Sequence, residues 1–178
     1  SMLTLPPFQY HAPSTVDEAV RLLATLQGTV KVIAGGTDLV PNMKHRLFTP
    51  EHVVGLKQIS GWDYVREDAG LVRIGAMTTL ADLARHERLG ALFPSLRSAA
   101  SQVAGPQLRE MGTLGGNLCL DTRCVYYNQT HFWRKALGYC LKKDGTVCHV
   151  VKAGKKCVAA ASNDTAPVLM TLHAKVRL

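Results

Sequence analysis

The sequence has no run approaching about 18 consecutive apolar residues, so no transmembrane helix is expected. Its first residues, SMLTLPPFQYHAPS, lack a basic stretch followed by an apolar one, which argues against a signal peptide. The expected location is therefore cytoplasmic, with no membrane partner. Neither G-x-G-x-x-G nor a Walker motif occurs, so the two standard nucleotide fingerprints fail. No C-x2-C pair is present, which weighs against a structural zinc site. No Ser–His–Asp set or paired-carboxylate site stands out, and neither an internal repeat nor a low-complexity tract is visible. Acidic residues are scarce: 13 Asp and Glu face 21 Lys and Arg, for a net charge of +8.

The balance of the composition is that of a folded globular domain, 47% hydrophobic and 19% charged. At 178 residues it is long enough for one domain with a proper core, or two small lobes. The five cysteines are not spread through it. All fall between Cys119 and Cys157, in a segment where eight lysines and arginines face only Asp121 and Asp144. In a reducing compartment these cysteines read as thiols, metal ligands or redox groups rather than disulfides. The basic segment with Tyr126, Tyr127, Phe132 and Trp133 also has the make-up of a nucleic-acid surface. Because charge and thiols coincide, one explanation for both is preferred, and no nucleic-acid partner is expected.

Along the chain, FQYHAP is a short extended start. STVDEAVRLLATL is an amphipathic helix with Val16, Ala19, Val20, Leu22 and Leu23 at helical spacing, and Thr15 with Glu18 fits a capping box. TVKVIAGG reads as a strand ending in two glycines, TDLVPNMKH as a short helix or turn, and HVVGL as a strand. Beyond Lys57, GLVRIGAM is a strand, TTLADLARH a helix and ALFPSLRSAASQVA a second helical stretch. LREMGTLGGNL is a glycine-rich connection expected to lead into a strand. SNDTAPVLMTL is expected as a capped helix and HAKVRL as a strand. The division expected is a lobe over 1–56 and a second over 57–178, with 119–158 inserted into the latter. Insertions of that length without periodicity are usually functional or disordered, and the cysteines favour function.

Two glycine turns carry the other candidate chemistry. In AGGTD, adjacent glycines permit positive φ and close backbone approach, and successive N–H groups can share one concavity that suits a phosphate. GTLGGN repeats the design, with Thr113 and Asn117 as side-chain donors. Either turn alone is more often a tight loop than a binding site. Two together suit the halves of a pyrophosphate.

VIAGGTDLVPNMK, RIGAMTTLADL, QLREMGTLGGNL and NDTAPVLMTLHAKV, in this order, resemble the FAD-binding subunit of the molybdenum hydroxylase family, the group of xanthine dehydrogenase and carbon monoxide dehydrogenase. The resemblance implies an α+β fold, a two-lobed FAD-binding domain of the molybdopterin dehydrogenase type, carrying an inserted iron–sulfur loop. It places the FAD pyrophosphate on Ala34, Gly35, Gly36, Thr37, Asp38 and Leu39, and on Thr113, Leu114, Gly115, Gly116 and Asn117. Asp164, followed by Pro167, matches an acidic position that contacts the flavin nucleotide; by itself it reads equally well as a helix cap.

The cysteine loop is similar to that of the 4-hydroxybenzoyl-CoA reductase branch, whose flavin subunit carries an added [4Fe–4S] cluster. Cys124, Cys140, Cys148 and Cys157, separated by 15, 7 and 8 residues, are the ligands this likeness implies. Cys119 is the competing candidate for the place of Cys124. The implied partners are a large subunit with the molybdenum cofactor, a [2Fe–2S] small subunit and a low-potential donor such as a ferredoxin. The implied activity is electron transfer for reductive dehydroxylation of an aromatic CoA thioester. The alternatives are the flavin subunit of another molybdenum hydroxylase and a metal-stapled binding module without flavin. Flavin subunits of the family continue beyond HAKVRL, so a C-terminal truncation and weak FAD retention are further expectations.

Overall fold

The structure, a computed structural model, describes residues 3–178. Near the N-terminus, β1 (Gln9–His11), β2 (Val30–Ile33) and β3 (His52–Gly55) form a parallel sheet in the order β1-β3-β2. Parallel neighbours need crossovers; helix α1 (Val16–Thr25) connects β1 to β2, and α2 (Leu39–Lys44) connects β2 to β3. Thr15 caps α1 as expected, accepting from the Glu18 N–H. Glu18 closes the other half one residue further out than expected, accepting from the Ser14 N–H at 2.8 Å. Ala19, Val54 and Ile59 are buried with Leu22, Leu26, Val30 and Trp62 packed round them. The first core therefore takes in Ile59 and Trp62, beyond residue 56.

An antiparallel hairpin follows, β4 (Val65–Asp68) and β5 (Leu71–Ile74). Its two-residue turn has Ala69 at φ 48° and Gly70 at φ 77°, the positive pair that matches strand twist in tight hairpins. Helix α3 (Leu80–Arg85) is capped by Thr79 and α4 (Glu87–Leu92) by the His86 ring. The helical stretch expected over 91–104 is broken at Phe93. Pro94 disfavours helical backbone at the residue before it and starts α5 (Pro94–Gln102) as its first residue. Short helices α6 (Pro106–Arg109) and α7 (Leu114–Leu118) lead to the cysteine segment, which contains α8 (His131–Ala136), and α9 (Ala166–Thr171) ends the ordered elements. Leu83, Leu89, Leu96, Ala100 and Leu114 form the second core, joined by Val72, Ile74 and the α9 residues Val168 and Leu169.

Among the described residues, two strands expected from the sequence are absent. The connection GTLGGNL leads into no strand and instead contains α7: Thr113 accepts from the Gly116 N–H at 3.0 Å and starts a helix. HAKVRL has no strand partner among the described residues. The expected side-chain cap of α9 is also missing, because the Thr165 hydroxyl is engaged elsewhere.

That engagement ties the two sides of the cysteine segment together. Asn117, on α7, is buried, and its Oδ1 accepts from the Thr165 N–H at 3.1 Å and the Thr165 hydroxyl at 2.6 Å. Removing the acceptor leaves two buried donors without a partner. Asn117→Ala is expected to cost about 3 kcal/mol of stability. In urea unfolding the midpoint falls while the slope stays unchanged; an unaltered midpoint would show that water replaces the amide.

Candidate functional site

The two glycine turns lie against each other. A Cβ on Gly35 would sit 1.9 Å from the Met111 carbonyl oxygen and 3.1 Å from the Gly112 Cα, so only glycine allows this approach. Gly36 is there for a different reason: its φ is 76°. On the far side, a Cβ on Gly116 would reach within 3.9 Å of the Ala34 side chain. Among the described residues, the N–H groups of Gly35, Gly36, Thr37 and Asp38 donate to no protein acceptor. They lie at the C-terminal end of β2 and are the donors a bound anion can use. Leu39, half-buried, follows as the first residue of α2.

The second turn spends its donors differently. Leu114 N–H goes to the Thr78 carbonyl at 2.9 Å and Gly115 N–H to Ala76 at 2.8 Å, while Gly116 N–H goes to its own cap. Thr113 and Leu114 are buried. These residues fix the platform on which the first turn rests. Asn117 is the acceptor for Thr165, and Asp164 is exposed, with no hydrogen bond or ion pair among the described residues.

Cys124, Cys140, Cys148 and Cys157 line one cavity, together with Tyr126 and Tyr127. Cys140 and Cys148 are buried. Cys119 is exposed at the C-terminal end of α7 and does not line it. Two thiols already receive backbone donors, Cys148 Sγ from the Val151 N–H at 3.5 Å and Cys157 Sγ from the Ala159 N–H at 3.4 Å. The Val151 N–H is the main cause of a lowered Cys148 pKa, which burial opposes in part. Among the described residues, no three Cys, His, Asp or Glu side chains are placed to hold a single metal ion. The four thiols share the lining of this cavity without being drawn together at one point.

The loop histidines are occupied: His149 Nε2 donates to the Tyr139 carbonyl at 2.6 Å, and His131 Nε2 lies 3.4 Å from the Tyr139 hydroxyl. Lys142 pairs with Asp121 at 2.8 Å and Tyr127 donates to the same carboxylate at 2.9 Å. The Lys142 hydrogen bond is the largest cause that pulls the Asp121 pKa down to about 2. Arg134 is buried, donates to the Lys143 carbonyl and faces Asp144 at 3.6 Å. Arg123 pairs with Asp38 of the first glycine turn. Sequence reasoning could not find that pair, because nothing local relates two residues so far apart. Of the loop aromatics, Tyr126 and Tyr127 line the cavity, whereas Phe132 is 82% exposed.

Residues 6–178 match the model of the FAD binding domain in molybdopterin dehydrogenase. The carbon monoxide dehydrogenase medium chain of Hydrogenophaga pseudoflava is 43% identical over 113 residues, 64% of this chain and 39% of that protein. The aldehyde oxidoreductase FAD-binding subunit of Escherichia coli K12 is 35% identical over 175 residues, 95% of this chain and 54% of that subunit. Among solved structures, carbon monoxide dehydrogenase from Hydrogenophaga pseudoflava superposes with a TM-score of 0.62 at 43% identity, over 65% of this chain and 40% of that one. The chain thus spans about two-fifths of the length of the carbon monoxide dehydrogenase relatives it matches.

The absence of space at Gly35 gives a direct test of the platform. Gly35→Ala forces the two turns apart and is expected to cost about 3 kcal/mol. FAD affinity, read by quenching of flavin fluorescence, should fall by more than tenfold. Wild-type affinity in this variant would mean that the contact between the turns is dispensable for binding.

Proposed function

Since the chain belongs to the family of FAD-binding domains in molybdopterin dehydrogenases, we propose that it is an electron-transfer module of a molybdenum-containing oxidoreductase. It holds FAD on its glycine turns and a [4Fe–4S] cluster on Cys124, Cys140, Cys148 and Cys157. The observation that carries the cluster is the single cavity lined by these four thiols. When bound, the flavin exchanges one or two electrons and the cluster exchanges one at a time. The chain's own groups bind, position and tune. Free N–H groups over 35–38 meet the pyrophosphate, and Asp164 stands exposed beyond the second turn for the flavin nucleotide. The Val151 N–H donates to Cys148 Sγ and favours its thiolate, and the Ala159 N–H donates to Cys157 Sγ.

The lobes over 1–56 and 57–178, with 119–158 inserted, are the working division. Partners on this reading are a large subunit with the molybdenum cofactor, a [2Fe–2S] small subunit and a low-potential donor such as ferredoxin. The spacing of the cysteines supports reductive dehydroxylation of 4-hydroxybenzoyl-CoA. A second reading, aldehyde oxidation, is favoured by the aldehyde oxidoreductase subunit: a match over 95% of this chain has to run through most of the inserted segment.

Protein purified without oxygen is expected to contain close to four irons per chain and to absorb broadly near about 400 nm. Serine at any of the four cavity cysteines should remove most of the iron, whereas Cys119→Ser should retain it. Zinc, or no metal, in the wild type would defeat the cluster. Assays of the assembled complex then separate the substrates. Reduction of the aromatic CoA thioester with a low-potential donor supports the first reading, and aldehyde-dependent reduction of an acceptor dye supports the second.

A further inference from the structure

Arg123 occupies two positions at once. Its backbone pairs with Ala160 in an antiparallel bridge, N–H to carbonyl at 2.7 Å one way and 3.0 Å the other. This bridge is the neck of the cysteine segment. Cys124 is the next residue, and Cys157 lies just before Ala160 on the other strand of the neck. The guanidinium of the same residue leaves the neck and pairs with Asp38, inside the turn whose N–H groups are free. Both partners are half-buried.

Asp38 is a difficult residue for an anion-binding turn. Its N–H belongs to the concavity, but its carboxylate puts a negative charge beside any phosphate bound there. An opposing cation is required for the turn to keep its positive field. The cation in contact is Arg123, supplied by the inserted segment and not by either core.

We infer that Arg123 is a positioning residue that couples the two cofactor sites: it neutralises Asp38 in the flavin turn while its backbone fixes the neck that carries Cys124 and Cys157. The inference deepens the reading of the chain as a flavin and cluster module and rests on it. Ordering of the neck by iron and sulfide holds the guanidinium at Asp38 and so favours FAD. By reciprocity FAD favours the loaded loop to the same degree.

The test is a set of FAD titrations by fluorescence quenching on wild type, Arg123→Gln, Asp38→Asn and the double variant, before and after loading with iron and sulfide. In the unloaded proteins Arg123→Gln should weaken FAD about fivefold, because an unopposed carboxylate faces the phosphates. The double variant should return to within about twofold of wild type, since the repelling charge has gone as well. Arg123→Lys, which keeps the charge, should hold most of the affinity and controls for folding. In the wild type, loading should tighten FAD about fivefold, and in Arg123→Gln this gain should vanish while the iron content stays near that of wild type.

Unchanged FAD affinity in Arg123→Gln, or no recovery in the double variant, would overturn the inference. So would an equal loading effect in wild type and Arg123→Gln. Failure of the cluster reading is distinguishable: it shows as a wild type that takes up no iron. The four unloaded titrations then decide the role of Arg123 at the turn, and the coupling is rejected.

Discussion

The backbone of Gly35 against that of Met111 and Gly112 is the contact on which the candidate site depends. It joins the end of β2, which belongs to the parallel sheet, to the loop that starts α7 in the second core. The contact is steric before it is anything else, since a single methyl group would overlap the Met111 carbonyl. The two glycines of the first turn therefore answer different demands, Gly35 for space and Gly36 for positive φ. Once the turns meet, their donors divide. In the second turn the Leu114 and Gly115 N–H groups go to residues 76–78 and the Gly116 N–H to the Thr113 cap, while those of the first remain available. A pair that looks symmetric in sequence is a platform and a cradle in three dimensions.

The cysteine segment obeys other rules. Within residues 124–157 the buried side chains are Arg134, Cys140 and Cys148, so no apolar core of its own holds it. What remains are ion pairs, the neck bridge and aromatic contacts such as Tyr126 against His149 at 5.2 Å. Exposed ion pairs contribute roughly 0–1 kcal/mol each. On the proposed cluster reading, a segment with so little burial would gain much of its order from the group its four thiols hold, because metal binding and folding are then one process.

Legibility in the sequence followed the range of the interactions. The amphipathic spacing of α1 and the β-branched run of β2 are local, and both elements stand where the pattern put them. The glycine pairs were visible as turns, but their mutual contact and the engagement of Leu114 and Gly115 N–H by residues 76–78 were not, since both depend on segments remote in sequence. At 112–118 the glycines, poor helix formers, hid a helix whose start was marked by Thr113 and whose Leu114 and Leu118 share a face. The hairpin β4–β5 is only half legible, because its turn pair Ala69-Gly70 is not one of the Asn-Gly or Asp-Gly pairs that mark a tight hairpin. The four cavity cysteines have no common spacing, so no periodicity could group them; resemblance did, and the four are found among the residues lining one cavity.

The excess of positive charge in the loop has a physical reading once the pairs are counted out. Arg123, Arg134 and Lys142 face Asp38, Asp144 and Asp121. Lys135, Lys143, Lys152, Lys155 and Lys156 are exposed, with no ion pair among the described residues. Lysines crowded on a loop with little core repel one another and oppose its compact state. Four thiolates on a common centre would reverse that balance, turning a destabilising surplus into a complementary field. The two sources of anion stabilisation then act over different distances. Backbone N–H groups at Cys148 and Cys157 work at contact range and are indifferent to salt. The exposed lysines act across the loop and weaken as the Debye length shortens from about 10 Å at 0.1 M salt to about 3 Å at 1 M. High salt should therefore weaken the lysine contribution while leaving the thiol hydrogen bonds in place. On the cluster reading, the lysines would set how readily the loop as a whole accepts negative charge.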